Sequence, residues 1–391
     1  MLDVDALRLR FPALASGAAY LDGPGGSQTP QEVLDAVDGY LRSSNANLGG
    51  AFPTSAASDE LIERGRSAAA EFTGGEPDGI AFGANMTTLN FLLAHAVART
   101  LEPGDEIVVT ALDHDANVSP WLLIAQDRNL IVRTAPIRAE DVTLDVDALE
   151  TLLGERTRVV AFTLASNAVG SIPDAARIAA AAHRVGALAW ADGVHLAPHE
   201  RLRASEIGLD VLLCSPYKFF GPHIGIAAIR PDLAANLPAD RVRPAAEEPP
   251  GHRFETGTLS HEGIAGTVAA IDYLRSLGDG ELDMAFERIQ GHETDLAKRF
   301  LAGLPEKLTL YGIRGVEGRT PTFCFNVDGR HPREVSEALG ERGIYVWDGN
   351  YYALEPMRAL GLEDGGAVRA GFLHYTSEED VDRLLEALAE L

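Results

Sequence analysis

From about residue 79 the chain alternates short apolar runs with amphipathic stretches, and that alternation constrains the fold more than any other feature of the sequence. Gly79-Ile-Ala-Phe, Glu106-Ile-Val-Val, Leu130-Ile-Val, Arg158-Val-Val-Ala-Phe, Ala187-Leu-Ala-Trp and Asp210-Val-Leu-Leu-Cys read as strands. Their near-continuous apolar character, without polar residues at every second position, suits strands covered on both faces. Thr88 to Arg99, Val118 to Arg128 and Pro173 to Val185 carry helical periodicity between them. Strands and helices in this order predict an open, mostly parallel sheet with helices on both sides. Such sheets bind ligands beyond the carboxyl ends of their strands, so the residues that follow each run are the ones to read for chemistry.

A second region begins near residue 280. Thr320-Pro-Thr-Phe-Cys-Phe-Asn-Val, Gly343-Ile-Tyr-Val-Trp and Ala367-Val-Arg-Ala-Gly-Phe predict strands, and Pro332 to Arg342 predicts a helix. Thr376-Ser-Glu-Glu has the spacing of a capping box at the start of a final helix. These elements predict a smaller α+β domain, and the proline- and alanine-rich stretch Pro231 to Pro250 predicts an exposed connector. With 391 residues, 46% of them hydrophobic, the chain can build two or three packed units. A formal charge of −25 argues against nucleic acid and anionic membrane surfaces as partners, since both would be repelled. The first residues, Met1-Leu-Asp-Val-Asp, carry acids where a secretory signal carries bases, and no run is long enough to span a bilayer, so a cytoplasmic location is expected. Cys214 and Cys324 lie in apolar strand-like segments and read as buried thiols rather than a disulfide or a zinc site.

Five of the strand ends deliver polar residues to one edge of the expected sheet: Asn85 and Thr87, Asp113 and His114, Asn167, Asp192 and His195, and Ser215 and Lys218. Lys218 is chemically the most informative. Of 33 basic residues only Lys218, Lys298 and Lys307 are lysine. An amine can lose its proton at a tuned pKa and condense with an aldehyde, whereas a guanidinium does neither.

An aldehyde cofactor held by Lys218 would need an anion site, an acid for its ring nitrogen, a stacking partner and a clamp for a substrate carboxylate. Asn85-Met-Thr-Thr opens a helix whose free N–H groups suit a phosphate, although the same pattern describes an ordinary N-cap. Asp192 could face a pyridinium N–H, cap a helix or bind a metal. His114 could lie over a ring or simply occupy a turn. Arg369 interrupts an apolar strand, where a buried guanidinium needs either a bound carboxylate or an internal salt bridge.

Seven ordered motifs together resemble a known family. They are Tyr20-Leu-Asp-Gly-Pro-Gly-Gly-Ser-Gln-Thr-Pro, Asp113-His-Asp-Ala-Asn-Val-Ser-Pro-Trp, Ser166-Asn-Ala-Val-Gly-Ser, Ala191-Asp-Gly-Val-His, Ser215-Pro-Tyr-Lys-Phe-Phe-Gly-Pro-His-Ile-Gly, Glu255-Thr-Gly-Thr, and Val368-Arg-Ala-Gly through Tyr375-Thr-Ser-Glu-Glu. The chain resembles the pyridoxal-phosphate enzymes of aminotransferase class V, in the branch of cysteine desulfurases and selenocysteine lyases. That resemblance implies fold type I, an α/β fold: a large domain over residues 20–275 with a mostly parallel seven-stranded sheet, and a small domain built from residues 1–19 and 276–391. It implies Lys218 as the Schiff-base lysine, Asp192 at the pyridine nitrogen and His114 stacked on the ring. Asn167 and His195 would lie near the ring hydroxyl, with His195 where relatives usually carry glutamine. Met86, Thr87, Ser215 and Tyr217 would hold the phosphate, Tyr217 in place of a common histidine. Thr258 would reach the phosphate of the neighbouring subunit in a homodimer. Arg369 would bind the α-carboxylate of an amino-acid substrate, with Asn45, Tyr351 and Tyr352 also near the substrate.

Departures from the family pattern narrow the chemistry. Desulfurases of this branch carry a nucleophilic cysteine in a loop before the carboxylate-binding arginine, and here that loop reads Trp347-Asp-Gly-Asn-Tyr-Tyr-Ala-Leu-Glu-Pro. Gly49-Gly-Ala-Phe stands where relatives have an arginine and a histidine. The expected activity is a lyase that eliminates a β- or γ-substituent, carbon–sulfur cleavage being one form of it, with Tyr351, Tyr352 or His195 as proton donor. Aminotransferase or epimerase activity is the alternative, ahead of a persulfide-forming desulfurase. A noncatalytic cofactor-binding module would not need Arg369, and a dinucleotide enzyme would need a glycine-rich turn that Phe82-Gly-Ala-Asn-Met-Thr does not supply.

Overall fold

The computed structural model describes residues 2–391. Its larger sheet has seven strands: β1 (Ile80–Gly83), β2 (Glu106–Thr110), β3 (Ile131–Ala135), β4 (Thr157–Thr163), β5 (Leu188–Asp192), β6 (Val211–Cys214) and β7 (Gly225–Ile229), in spatial order β1-β7-β6-β5-β4-β2-β3. The β3-β2-β4-β5-β6 ladder is parallel, and β7 runs antiparallel to both β6 and β1. Since β7 reverses direction between them, β1 points the same way as the parallel set. All six strands read from the sequence therefore end at the same edge. Strand β7, Gly-Ile-Ala-Ala-Ile, is the one that was not anticipated.

Strands β4, β5 and β6 are buried over most of their length, as their unbroken apolar runs require. One layer of the core packs Trp121 edge-to-face on Trp190, with centroids 5.1 Å apart. On the other side, helices Gln31–Ser43 and Pro53–Thr73 pack against His261–Ser276. The connector after β7 is not wholly irregular, because Pro231–Asn236 forms a short helix with proline at its start.

A four-stranded antiparallel sheet forms the second unit: β8 (Leu308–Tyr311), β9 (Thr322–Val327), β10 (Trp347–Gly349) and β11 (Ala367–Gly371), in order β8-β9-β11-β10. Phe300, Phe323, Phe325 and Phe372 fill its core together with the helices Leu282–Ala302 and Glu378–Glu390. Ala19 and Leu21 belong to this core too, and the short strand Ala19–Tyr20 pairs in parallel with Ile344–Tyr345. The last helix is capped one residue later than its sequence suggests. Ser377 and Asp380 form the reciprocal capping box, while the Thr376 hydroxyl accepts the Leu373 N–H at 3.0 Å. Among the described residues, no helix is long and apolar enough to cross a membrane.

Candidate active site

A cavity of about 780 Å³ opens beyond the carboxyl ends of the parallel strands, where the smaller unit closes over them. Met86, Thr87, His114, Asn167, Asp192, His195, Ser215, Tyr217, Lys218, Tyr351, Tyr352 and Arg369 all line it. Two expected site residues do not. Thr258 is exposed on a loop that borders neighbouring surface pockets, and Asn45 is exposed after the Gln31–Ser43 helix. Asp22, Pro24, Gly25 and His223 line the cavity without having been singled out. Asp22 lay within a motif already noted, where an acid in a glycine-rich turn was the available signal.

Lys218 sits in a single 3-10 turn (Pro216–Lys218) immediately after β6. Its Nζ donates to the Pro24 carbonyl and, at 3.0 Å, to the Gly25 carbonyl. It also lies 4.7 Å from the centre of the Tyr217 ring, which stacks at 4.9 Å on His223. Desolvation in the cavity, reinforced by the Arg369 charge, lowers the Lys218 amine to about 7, so much of it is neutral at neutral pH.

Asp192 is the last residue of β5, and one carboxylate oxygen accepts the Val194 N–H at 2.8 Å. Burial raises its pKa to about 6, opposed by that hydrogen bond and by Lys218. His114 follows β2 on a turn fixed from below. The Asn117 amide donates to Asp113 at 2.8 Å, Asn90 donates to the Ala116 carbonyl at 2.8 Å, and Trp190 Nε1 holds Asn90 at 2.9 Å. The His114 Nδ1 accepts the Ala116 N–H at 3.0 Å. Desolvation and the nearby Lys218 lower His114 to about 4, which keeps the imidazole neutral and able to stack.

At the start of the Met86–Ala98 helix, the Asn85 side chain accepts the Thr88 N–H at 2.8 Å, and Ser215 Oγ accepts the Met86 N–H at 3.1 Å. The Thr87 N–H has no partner among the described residues, which leaves a donor at the positive end of a helix on the cavity wall.

Arg369, on β11, is 4% exposed. Its Nη1 donates to the Asn167 carbonyl at 2.9 Å and its Nη2 to Asp22 at 3.1 Å, and its guanidinium lies 4.5 Å from the Tyr351 ring centre. Asp22 is thus the internal ion-pair partner that the sequence left open. Burial nevertheless raises the Asp22 pKa against the pull of Arg369. Arg369 Nε and Asn167 Oδ1 are buried without hydrogen-bond partners among the described residues.

The two loop tyrosines occupy different environments. Both have positive φ, 56° and 57°, a conformation that bulky residues rarely adopt. Two contacts hold it: Asn167 donates to the Tyr351 carbonyl and Asp115 N–H to the Tyr352 carbonyl, each at 2.8 Å. The Tyr351 side chain is 5% exposed and its hydroxyl donates to the Ala367 carbonyl, which makes it a wall behind Arg369. Tyr352 is 70% exposed and stacks on His114, with ring centres 5.5 Å apart. Cys214 and Cys324 are fully buried; burial raises both thiols, Cys324 to about 12.

The aminotransferase class-V family model matches residues 19–384. The chain is 32% identical to an aminotransferase-like protein of Gibberella zeae, an alignment covering 98% of this chain and 97% of that one. It is also 32% identical to a cysteine desulfurase of Pectobacterium carotovorum subsp. carotovorum, covering 99% and 98%. The apo structure of a cysteine desulfurase from Thermococcus onnurineus superposes with a TM-score of 0.93 at 28% identity, covering 100% of this chain and 98% of that one. The chain belongs to aminotransferase class V, a family of pyridoxal-phosphate-dependent enzymes. Within that family its similarity is to the cysteine desulfurase-like members, in fold and over nearly its whole length.

Proposed function

We propose that the protein is a pyridoxal-phosphate-dependent lyase that removes a β- or γ-substituent from an amino acid, without a cysteine nucleophile. The observation that carries this reading is the loop between β10 and β11: it brings Tyr351 and Tyr352 to the cavity, while the chain's two thiols lie buried in strands and protonated.

The residues present fit the cofactor. The partnerless Thr87 N–H and the Ser215 hydroxyl suit a phosphate, the buried Asp192 carboxylate suits a pyridinium, and Lys218 would hold the aldehyde carbon. When bound, pyridoxal phosphate supplies an electron sink that lets bonds to Cα and Cβ break. Once the substrate amine has displaced it from the aldehyde carbon, the freed Lys218 Nζ would take the α-proton; as a free amine it sits between two backbone carbonyls and is close to half neutral at pH 7. Arg369 lines the cavity and would pair its guanidinium with the substrate carboxylate, and Tyr351 and Asp22 keep that guanidinium in place. Tyr352 Oη, exposed at the mouth, gives a proton to the departing group. A homodimer would bring Thr258 to the phosphate of the neighbouring subunit.

The test is a screen of amino acids that records keto acid, ammonia and sulfide, run on wild type and on a Cys214→Ala, Cys324→Ala double variant. Equal release of ammonia and keto acid by both proteins supports the lyase. Keto acid without ammonia, dependent on an amino acceptor, replaces it with a transaminase. Activity lost with the cysteines refutes the cysteine-free mechanism.

A further inference from the structure

Behind the cavity floor lies a second set of buried polar groups that the proposed chemistry does not use. His195 lines the cavity, and its Nε2 points away from it into the interface between the two units, 3.0 Å from Thr322 Oγ1 and 3.2 Å from Thr320 Oγ1. Thr320 also lines a separate pocket of about 320 Å³, bordered by His199, Glu293, Glu200 and Gln290. The His199 and His195 rings meet edge to face, with centroids 5.4 Å apart. His199 Nδ1 lies 2.8 Å from Glu293 Oε2, and both side chains are 3% exposed.

Two atoms of this pair, His199 Nε2 and Glu293 Oε1, are buried with no hydrogen-bond partner among the described residues. Orphaned polar atoms of this kind are costly unless water reaches them. The rear pocket that both residues border is large enough to hold several waters.

We propose that the rear pocket is a proton-exchange route to His195, running from the His199–Glu293 pair through water and the Thr320 and Thr322 hydroxyls to His195 Nε2. The transfer is balanced at every link. The pair releases one proton to a pocket water and regains it from bulk solvent. Each hydroxyl accepts one proton on oxygen as it passes on its own. His195 gains a proton at Nε2 and loses one from Nδ1 into the cavity. A path from behind supplies protons to the reacting groups without opening the front of the site to water.

The charged and titratable groups around this path come from several elements. His195 faces His199 on its own segment, Arg369 on β11 and Lys218 after β6. Glu293 faces His199 and His292, and Glu200 and Gln290 border the same pocket. The proposal rests on the assigned active cavity, but its test needs no turnover.

The experiment uses cofactor-loaded protein labelled with ¹⁵N-histidine, the His195 resonance being assigned by its loss in His195→Gln. Exchange of the His195 ring proton with water is then measured in wild type, Thr320→Val, Thr320→Ser and Glu293→Gln. Thr320→Val is expected to slow exchange at least tenfold, Thr320→Ser to restore it, and Glu293→Gln to slow it. Unchanged exchange in Thr320→Val, or equal slowing in the serine variant, would overturn the path. Unchanged exchange in a folded Glu293→Gln would overturn the entry of protons through the His199–Glu293 pair. Should Glu293→Gln not fold, the two threonine variants decide the matter. Because no substrate is present, failure of the lyase reading leaves this result standing, and the converse also holds.

Discussion

Arg369→Gln isolates the clamp. In the wild type the guanidinium spends one nitrogen on the Asn167 carbonyl and another on Asp22, leaving Nε buried and free. A substrate carboxylate that pairs with this guanidinium gains charge-assisted hydrogen bonds, and losing such an interaction costs roughly 1.5–3 kcal/mol. That corresponds to about 10- to 150-fold weaker binding. The substitution also strips Asp22 of its ion pair, so a fall in affinity alone would not separate recognition from a disturbed site. The assay therefore titrates the cofactor-loaded protein spectroscopically with an unreactive amino acid and with its carboxamide. Wild type should prefer the acid; Arg369→Gln should lose the predicted factor for the acid and change little for the amide. Equal loss for both ligands would mean that the guanidinium only supports structure, and no loss for either would refute the clamp.

Three further outcomes follow from the same geometry. Tyr352→Phe keeps the stack on His114 but removes the hydroxyl, so turnover should drop by roughly 10²- to 10⁴-fold; a fall of only about twofold would leave the ring a packing role. Lys218→Met in cofactor-free protein should flatten the pH dependence of stability. Desolvation lowers the amine from 10.5 to about 7, so between those values the unfolded chain binds a proton that the folded chain does not, and wild-type stability rises with pH across that window. Below about 7 the penalty is fully present, and urea midpoints there should be higher for Lys218→Met; identical pH profiles for the two proteins would contradict the shifted amine. Sedimentation should show a dimer, and Thr258→Ala should weaken cofactor retention without unfolding the monomer; a monomer that retains cofactor fully would remove Thr258 from the site.

The sheet was legible because strands buried on both faces must be continuously apolar, and β4, β5 and β6 keep that signature. Strand β7 was not: Gly225-Ile-Ala-Ala-Ile is short and alanine-rich, and it owes its place to antiparallel pairing with β6 and β1 rather than to local propensity. The cavity residues were readable as a set because parallel strands deliver their carboxyl ends to one edge. Asp22 was not, because its partner Arg369 lies 347 positions away and only the folded chain brings them together. Nor did the sequence show how Tyr351 and Tyr352 divide their roles. Neither is a glycine, yet both take a left-handed backbone that turns one ring inward against Arg369 and the other outward onto His114.

Lys218 is expected to carry the cofactor through its Nζ. Purified protein is treated with borohydride, digested, and its peptides are mapped by mass spectrometry. A reduced pyridoxyl group on the peptide that contains Lys218, absent from those with Lys298 and Lys307 and lost in Lys218→Ala, is the predicted result. A pyridoxyl group on another lysine, or full activity in Lys218→Ala, would contradict it.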